Sequence, residues 1–194
     1  MTDLKGGEEP HQIELGVWVV VFGELSLFTL FFTIFLYYRG HSPELFESSR
    51  LTLHQDLGAL NTMILITSSW CVAAAVRALR KIETRGLAPR RLAGALTCGA
   101  AFVFVKVIEY GGAYRDGVTV LTNEFYMFYF MLTGIHLFHV LVGMILLVAA
   151  TVHLQSVLES DGMASYALIG FTSCFWHMLD LVWIVLFPLL YLLH

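Results

Sequence analysis

Three pairs of ionisable side chains, each spaced three residues apart, stand in runs that are otherwise apolar: Lys106 with Glu109, His136 with His139, and His177 with Asp180. A further stretch, Phe22-Gly23-Glu24-Leu25-Ser26, carries a lone carboxylate. Spacing of i,i+3 puts both members of a pair on one helix face. An ionisable group at bilayer depth costs roughly 2.5–3.5 kcal/mol or more on insertion scales, so it faces protein and not lipid. Four chemistries follow. His177 and Asp180, with Trp176 and Trp183 on nearly the same stripe, could clamp helices together or handle a proton. Lys106 and Glu109 can neutralise each other, and with Glu24 they are candidates for a lipid- or proton-related role. Their closeness to Tyr110 and Gly111-Gly112 places them near the outer membrane edge as a structural ion pair. His136 and His139 could hydrogen-bond between helices, or ligate haem or copper with His177 as a third group on a facing helix. Glu24 reads as a neutral acid bonded to a neighbouring helix, or as a proton site or lipid-contact site.

The elements that must position these groups follow from composition and run length. Of the 194 residues 58% are hydrophobic and 13% charged. Soluble domains average ~45–50% and ~25%, so this composition indicates an all-α, polytopic membrane protein. A transmembrane helix needs roughly 20 mostly apolar residues. Five such spans are expected, at Leu15–Tyr38, Leu57–Ala78, Leu92–Tyr110, Phe125–His153 and Tyr166–Leu193. The last two exceed the minimum length and should tilt. Short connections make residues 1–194 a single membrane domain, a five-helix bundle, and leave no room for a soluble domain. The runs are continuous and do not alternate, which excludes a β-barrel. Nothing in the sequence suggests a nucleic-acid partner. The polar, acidic stretch from Met1 to Gln12 lacks the features of a cleavable signal peptide, so the first span is expected to act as an uncleaved anchor. Cys71, Cys98 and Cys174 lie in apolar runs without a paired spacing and read as small buried hydrophobes.

Basic residues set the expected orientation. Arg77, Arg80, Lys81, Arg85, Arg90 and Arg91 cluster between spans two and three, which puts that connection and Lys5 in the cytoplasm. Arg39, Arg50, Arg115 and the C-terminal His194 are then outside, while the Leu154–Ser165 connection, expected inside, has no lysine or arginine. Tyr37, Tyr38, Tyr110, Tyr114, Phe125, Tyr126, Tyr129 and Tyr191 are expected at the interfaces. Asn61, Thr62, Thr67, Ser68 and Ser69 give span two a packing face, and Gly134 and Gly143 would let another helix approach span four closely. The ionisable pairs of spans three, four and five are expected to converge on one shared polar core, with Glu24 facing it or a partner subunit.

These motifs together resemble subunit III of the haem–copper oxidases. Trp176-His177-x-x-Asp180-x-x-Trp183 looks like that family's closing helix, and Thr133-Gly134-x-His136-x-x-His139-Val140 its preceding one. Leu60-Asn61-Thr62 is similar to its asparagine-threonine step, Glu109-Tyr110 to a Glu-Tyr step, and Glu24 to its carbodiimide-reactive membrane glutamate. The likeness covers roughly residues 15–194, in the family order. Two departures stand out. The mitochondrial-type subunit has seven helices, and this chain resembles only the last five, so the lipid-filled cleft made with the first two is not expected here. Phe104-Val105-Lys106-x-x-Glu109-Tyr110-Gly111, the closing Trp183–Leu193 segment and Tyr38-Arg39 look most like the short branch associated with nitric oxide reductase, often called NorE. The rival is a five-helix subunit III of a bacterial terminal oxidase.

The resemblance implies a non-catalytic subunit in the bacterial cytoplasmic membrane that binds no haem or copper itself. Haem, with copper or non-haem iron, would reside in the partner catalytic subunit of a haem–copper oxidase or nitric oxide reductase. The implied roles are assembly, protection of the active site and support of proton uptake. Membrane lipids are expected neighbours, and a phospholipid could bind. The partner is expected to dock on the face of spans one and two, where Glu24 lacks an evident partner and span two is rich in small residues. The alternatives from other classes are an independent proton channel or transporter, and a small b-type cytochrome. Transporters tend to show repeats and broken helices, and neither is legible here.

Overall fold

The computed structural model describes residues 9–159 and 167–193, and among these every regular element is helical. The order is α1 (Glu9–His41), α2 (Pro43–Arg50), α3 (Gln55–Leu79), a 3₁₀ turn (Ile82–Leu87), α4 (Ala88–Arg115), α5 (Glu124–Glu159), α6 (Ala167–Phe187) and a π-helical turn (Pro188–Leu192). Five helices, α1, α3, α4, α5 and α6, are long and apolar enough to cross a membrane. They correspond to the five expected spans, with ends that run past the purely apolar stretches. The expected start of span five at Tyr166, the far part of the Leu154–Ser165 connection, Lys5 and His194 lie outside the described residues.

Local chemistry sets several helix ends. Asn123 caps α5: its Oδ1 accepts from the Tyr126 backbone N–H at 3.0 Å. At the end of α4, Gly117 has φ +74°; its N–H reaches Tyr114 O at 3.1 Å, and the Val118 N–H reaches Ala113 O at 2.9 Å. Only a residue without Cβ enters that left-handed turn cheaply. Pro188 has no N–H to continue the α-helical ladder. The backbone widens there, so that the Leu193 N–H bonds to Pro188 O at 2.9 Å.

α6 is the central helix. Of its apolar stretch 56% is buried, against 17% for α1, which lies on the outside of the bundle. Around α6 pack α3, α5 and α1, and α4 fills the space between α3 and α5. Close approach depends on two glycines facing Trp176. A Cβ at Gly143 would come within 2.9 Å of that indole and 3.0 Å of Leu179 Cδ1, and one at Gly99 within 3.1 Å of the same indole. Gly134, expected to serve likewise, faces open space, with nothing within 4 Å of a Cβ.

Candidate functional site

The most heavily charged part of the interior is built on α4. Lys106 is fully buried, and its Nζ donates to Glu109 Oε2 at 2.9 Å and to the Tyr191 hydroxyl at 2.9 Å. The Tyr191 hydroxyl in turn donates to Glu109 Oε1, which also accepts from the Tyr129 hydroxyl at 2.7 Å. The ammonium stands 4.9 Å from the Trp183 ring centre and 5.5 Å from those of Tyr129 and Tyr191, with Tyr110 at 5.8 Å. Such rings attract a cation electrostatically. A buried ion pair holds only when its remaining donors and acceptors are also satisfied, and the tyrosines do this. Tyr110 is fixed in turn by a 2.6 Å bond to the Thr133 hydroxyl.

The Lys106–Glu109 ion pair is enclosed by α4, α5 and α6. Two expectations about aromatic rings are corrected. Tyr129 and Tyr191 are not interface rings; both are buried donors to the pair. Phe125 and Tyr126 are buried as well. Sequence reasoning missed these tyrosines because an aromatic at a span end is ordinarily an interfacial anchor; Pro188, which turns Tyr191 inward, was the available signal. Arg50 was also missed as a tie. It ion-pairs with Glu47 at 2.6 Å and donates to Tyr191 O at 3.0 Å, so α2 grips the π turn. The Glu47 hydrogen bond, then its charge, raise the Arg50 pKa against desolvation, so the guanidinium stays charged.

A second polar seam joins α6 to α3. The Trp176 indole N–H donates to Ser68 Oγ at 3.1 Å, and the Ser68 hydroxyl donates to Ala95 O on α4 at 2.9 Å. Trp183 donates to Thr62 Oγ1 at 3.0 Å. His177 Nδ1 lies 2.6 Å from Ser69 Oγ and 3.8 Å from Asp180 Oδ2. His177 therefore meets span two, not the histidines of span four, and Asp180 lies beside it with both carboxylate oxygens buried and without a hydrogen bond. Thr62, Ser68 and Ser69 of span two thus bond within the bundle, Asn61 is buried among its neighbours, and Thr67 is exposed.

A third arrangement lies between α1 and α5. Glu24 Oε2 is 3.1 Å from His139 Nε2, and His139 Nδ1 is 2.8 Å from Ile135 O. Glu24 is thus not partnerless. His136, fully buried, has no hydrogen-bond partner at either ring nitrogen; it packs on Trp183 at 5.2 Å and Phe102 at 5.7 Å between ring centres. The expected interhelical hydrogen bond is not made by His136. In place of one shared polar core there are three separate arrangements, with Trp183 between the Lys106 site and His136. His139 is committed to Glu24 and His177 to Ser69, so the imagined set of three histidines does not assemble. Among the described residues no three His, Cys, Asp or Glu side chains are grouped to hold a metal ion.

Fold and interior together define a five-span helical membrane protein whose buried charge is neutralised from within. The family model for cytochrome c oxidase subunit III matches residues 9–194, and the chain belongs to that family. It is 30% identical over 187 residues to cytochrome c oxidase subunit 3 of Thermostichus vulcanus, covering 96% of this chain and 90% of the relative. It is 28% identical over 185 residues to quinol oxidase subunit 3 of Bacillus spizizenii, covering 92% and 86%. The same identity, over 178 residues, relates it to cytochrome c oxidase subunit 3 of Synechocystis, covering 92% and 74%.

Proposed function

We propose that the chain is the non-catalytic subunit III of a respiratory haem–copper oxidase, holding and protecting a larger catalytic subunit that carries the redox centres. The single observation that carries this reading is family membership across residues 9–194. The interior agrees with it. Its Lys106–Glu109 network and its α3–α6 hydrogen bonds close within the chain, which suits a scaffold. Haem, with copper or non-haem iron, belongs in this reading to the partner. Relatives named for quinol and cytochrome c oxidases favour oxygen as the substrate of the complex. The nitric oxide reductase branch is a second reading, favoured by the Phe104–Gly111 and Trp183–Leu193 segments. Support of proton uptake and contact with phospholipid are assigned to Glu24, whose side chain is 26% exposed.

The test is copurification from the native membrane with a tagged chain. A haem-bearing polytopic partner that consumes oxygen is expected; one that consumes nitric oxide selects the second reading. A chain that purifies alone under mild detergent and crosslinks to no such subunit defeats both. We further assign the N-terminus to the cytoplasm of a bacterial inner membrane, from the Arg77–Arg91 cluster. Labelling of Arg85→Cys from the periplasmic side would reverse that assignment.

A further inference from the structure

The Lys106–Glu109 site is buried in protein but borders a cavity. At the end of the bundle where α3 and α5 begin and α4 ends, a cavity of about 300 Å³ opens between the helices. Its walls carry Thr52, His54, Asp116 and Tyr126, and they also include Glu109 and Tyr129, two members of the buried network. His54 and Asp116 are exposed. A space of this size has room for several waters, with Thr52, His54, Glu109, Asp116 and the tyrosines as polar partners on otherwise apolar walls. On the far side of the ammonium the packing is aromatic. Trp183 lies against Lys106, Phe102 is edge-on to Trp183 at 5.0 Å, and His136 stacks beyond.

We propose that this cavity is an aqueous vestibule, and that it makes the Lys106–Glu109–Tyr129–Tyr191 network a proton-exchange site open to one face of the membrane and closed to the other. Water in the vestibule passes protons to the Glu109 carboxylate and the Tyr129 hydroxyl. From there the Tyr191 hydroxyl, which accepts from Lys106 and donates to Glu109, links the carboxylate to the ammonium. The groups that face this route are His54 before α3, Glu109, Lys106, Tyr110 and Asp116 on or beside α4, Tyr126 and Tyr129 on α5, and Tyr191 after α6. The Phe102–Trp183–His136 packing ends it, so the network is a dead end and not a channel. The proposal concerns this chain alone and stands or falls independently of which catalytic subunit it joins.

The test uses the full chain in its membrane, with Cys71, Cys98 and Cys174 replaced by Ser. Ala113 lines the cavity without belonging to the network. Ala113→Cys should react with a membrane-impermeant thiol reagent from one side only, within about tenfold of the rate at the exposed Leu121→Cys. Reaction no faster than at the buried Ala75→Cys overturns the proposal. As a second measurement, hydroxyl deuteration is followed by the infrared phenol band that disappears in Tyr129→Phe. Exchange within a minute is expected, slowed at least tenfold when Ala113→Trp fills the cavity. Exchange as slow as that of core amides, or unchanged by Ala113→Trp, also overturns it.

Discussion

Nε2 of His139 stands 3.1 Å from Oε2 of Glu24 and ties the outermost helix, α1, to α5. His139 Nδ1 is 2.8 Å from Ile135 O, and because a carbonyl only accepts, Nδ1 must carry a hydrogen. Nε2 faces the Glu24 carboxyl group across the 3.1 Å contact. Membrane hydrogen bonds measured in this way average about 0.6 kcal/mol, with a maximum near 1.7. A double-mutant cycle of Glu24→Leu and His139→Leu should give a coupling inside that range, read from unfolding of the chain in mixed micelles. Glu24→Gln keeps an N–H donor for Nε2 and should cost less than Glu24→Leu. A coupling of zero would mean that the two side chains act separately.

At the Lys106 site the expected cost is larger and less additive. Removing one partner of a buried pair leaves an uncompensated charge, at about 3–5 kcal/mol. Lys106→Met and Glu109→Leu should each sharply reduce the amount of folded chain. The double replacement should be better tolerated than either single one. Thermal stability in detergent checks the order, and a double mutant worse than both singles would contradict it.

The glycines of α5 make a paired prediction. Gly143→Ala drives a methyl group toward the Trp176 indole and Leu179, and overpacking of this kind costs typically 1–3 kcal/mol. Gly134→Ala meets open space and should leave stability unchanged or slightly improved. Equal effects of the two on the melting temperature would count against the packing described here.

On the α3–α6 seam, Ser69→Ala removes the 2.6 Å partner of His177, a loss of about 0.5–1.5 kcal/mol. Asp180→Asn keeps the shape of the side chain and should be milder than Asp180→Leu. All three should lower the yield of assembled complex more than the initial turnover of what does assemble. Normal assembly with abolished turnover in Asp180→Asn would instead make this carboxylate a proton carrier.

The number of spans and their helical nature were legible because long continuous apolar runs allow little else. The Lys106–Glu109 pair was legible too, since i,i+3 spacing fixes its geometry inside one helix. Contacts between helices were not. Ser68, Ser69 and Thr62 could face any neighbour, and only the crossing of α3 with α6 decides that Trp176, His177 and Trp183 are theirs. Periodicity put His136 and His139 on one face, yet a few tens of degrees of helix rotation send one to Glu24 and leave the other among rings. Tyr191 was misplaced because an aromatic at a span end ordinarily anchors at the interface, whereas here the ring following the Pro188 turn is buried.

The position of the buried charges along the chain also bears on how the protein is made. α4 precedes α5 and α6, so during synthesis Lys106 and Glu109 meet the insertion machinery before Tyr129 and Tyr191 have been translated. Their spacing lets each act as the other's counter-ion inside a single helix, which allows α4 to partition into lipid as a nearly neutral rod. The hydroxyls arrive later, when α5 and then α6 close over it. Biosynthesis thus imposes a requirement that the finished bundle conceals: an acceptor moved to a later helix could serve the folded protein equally well and still leave the nascent one stranded at the translocon.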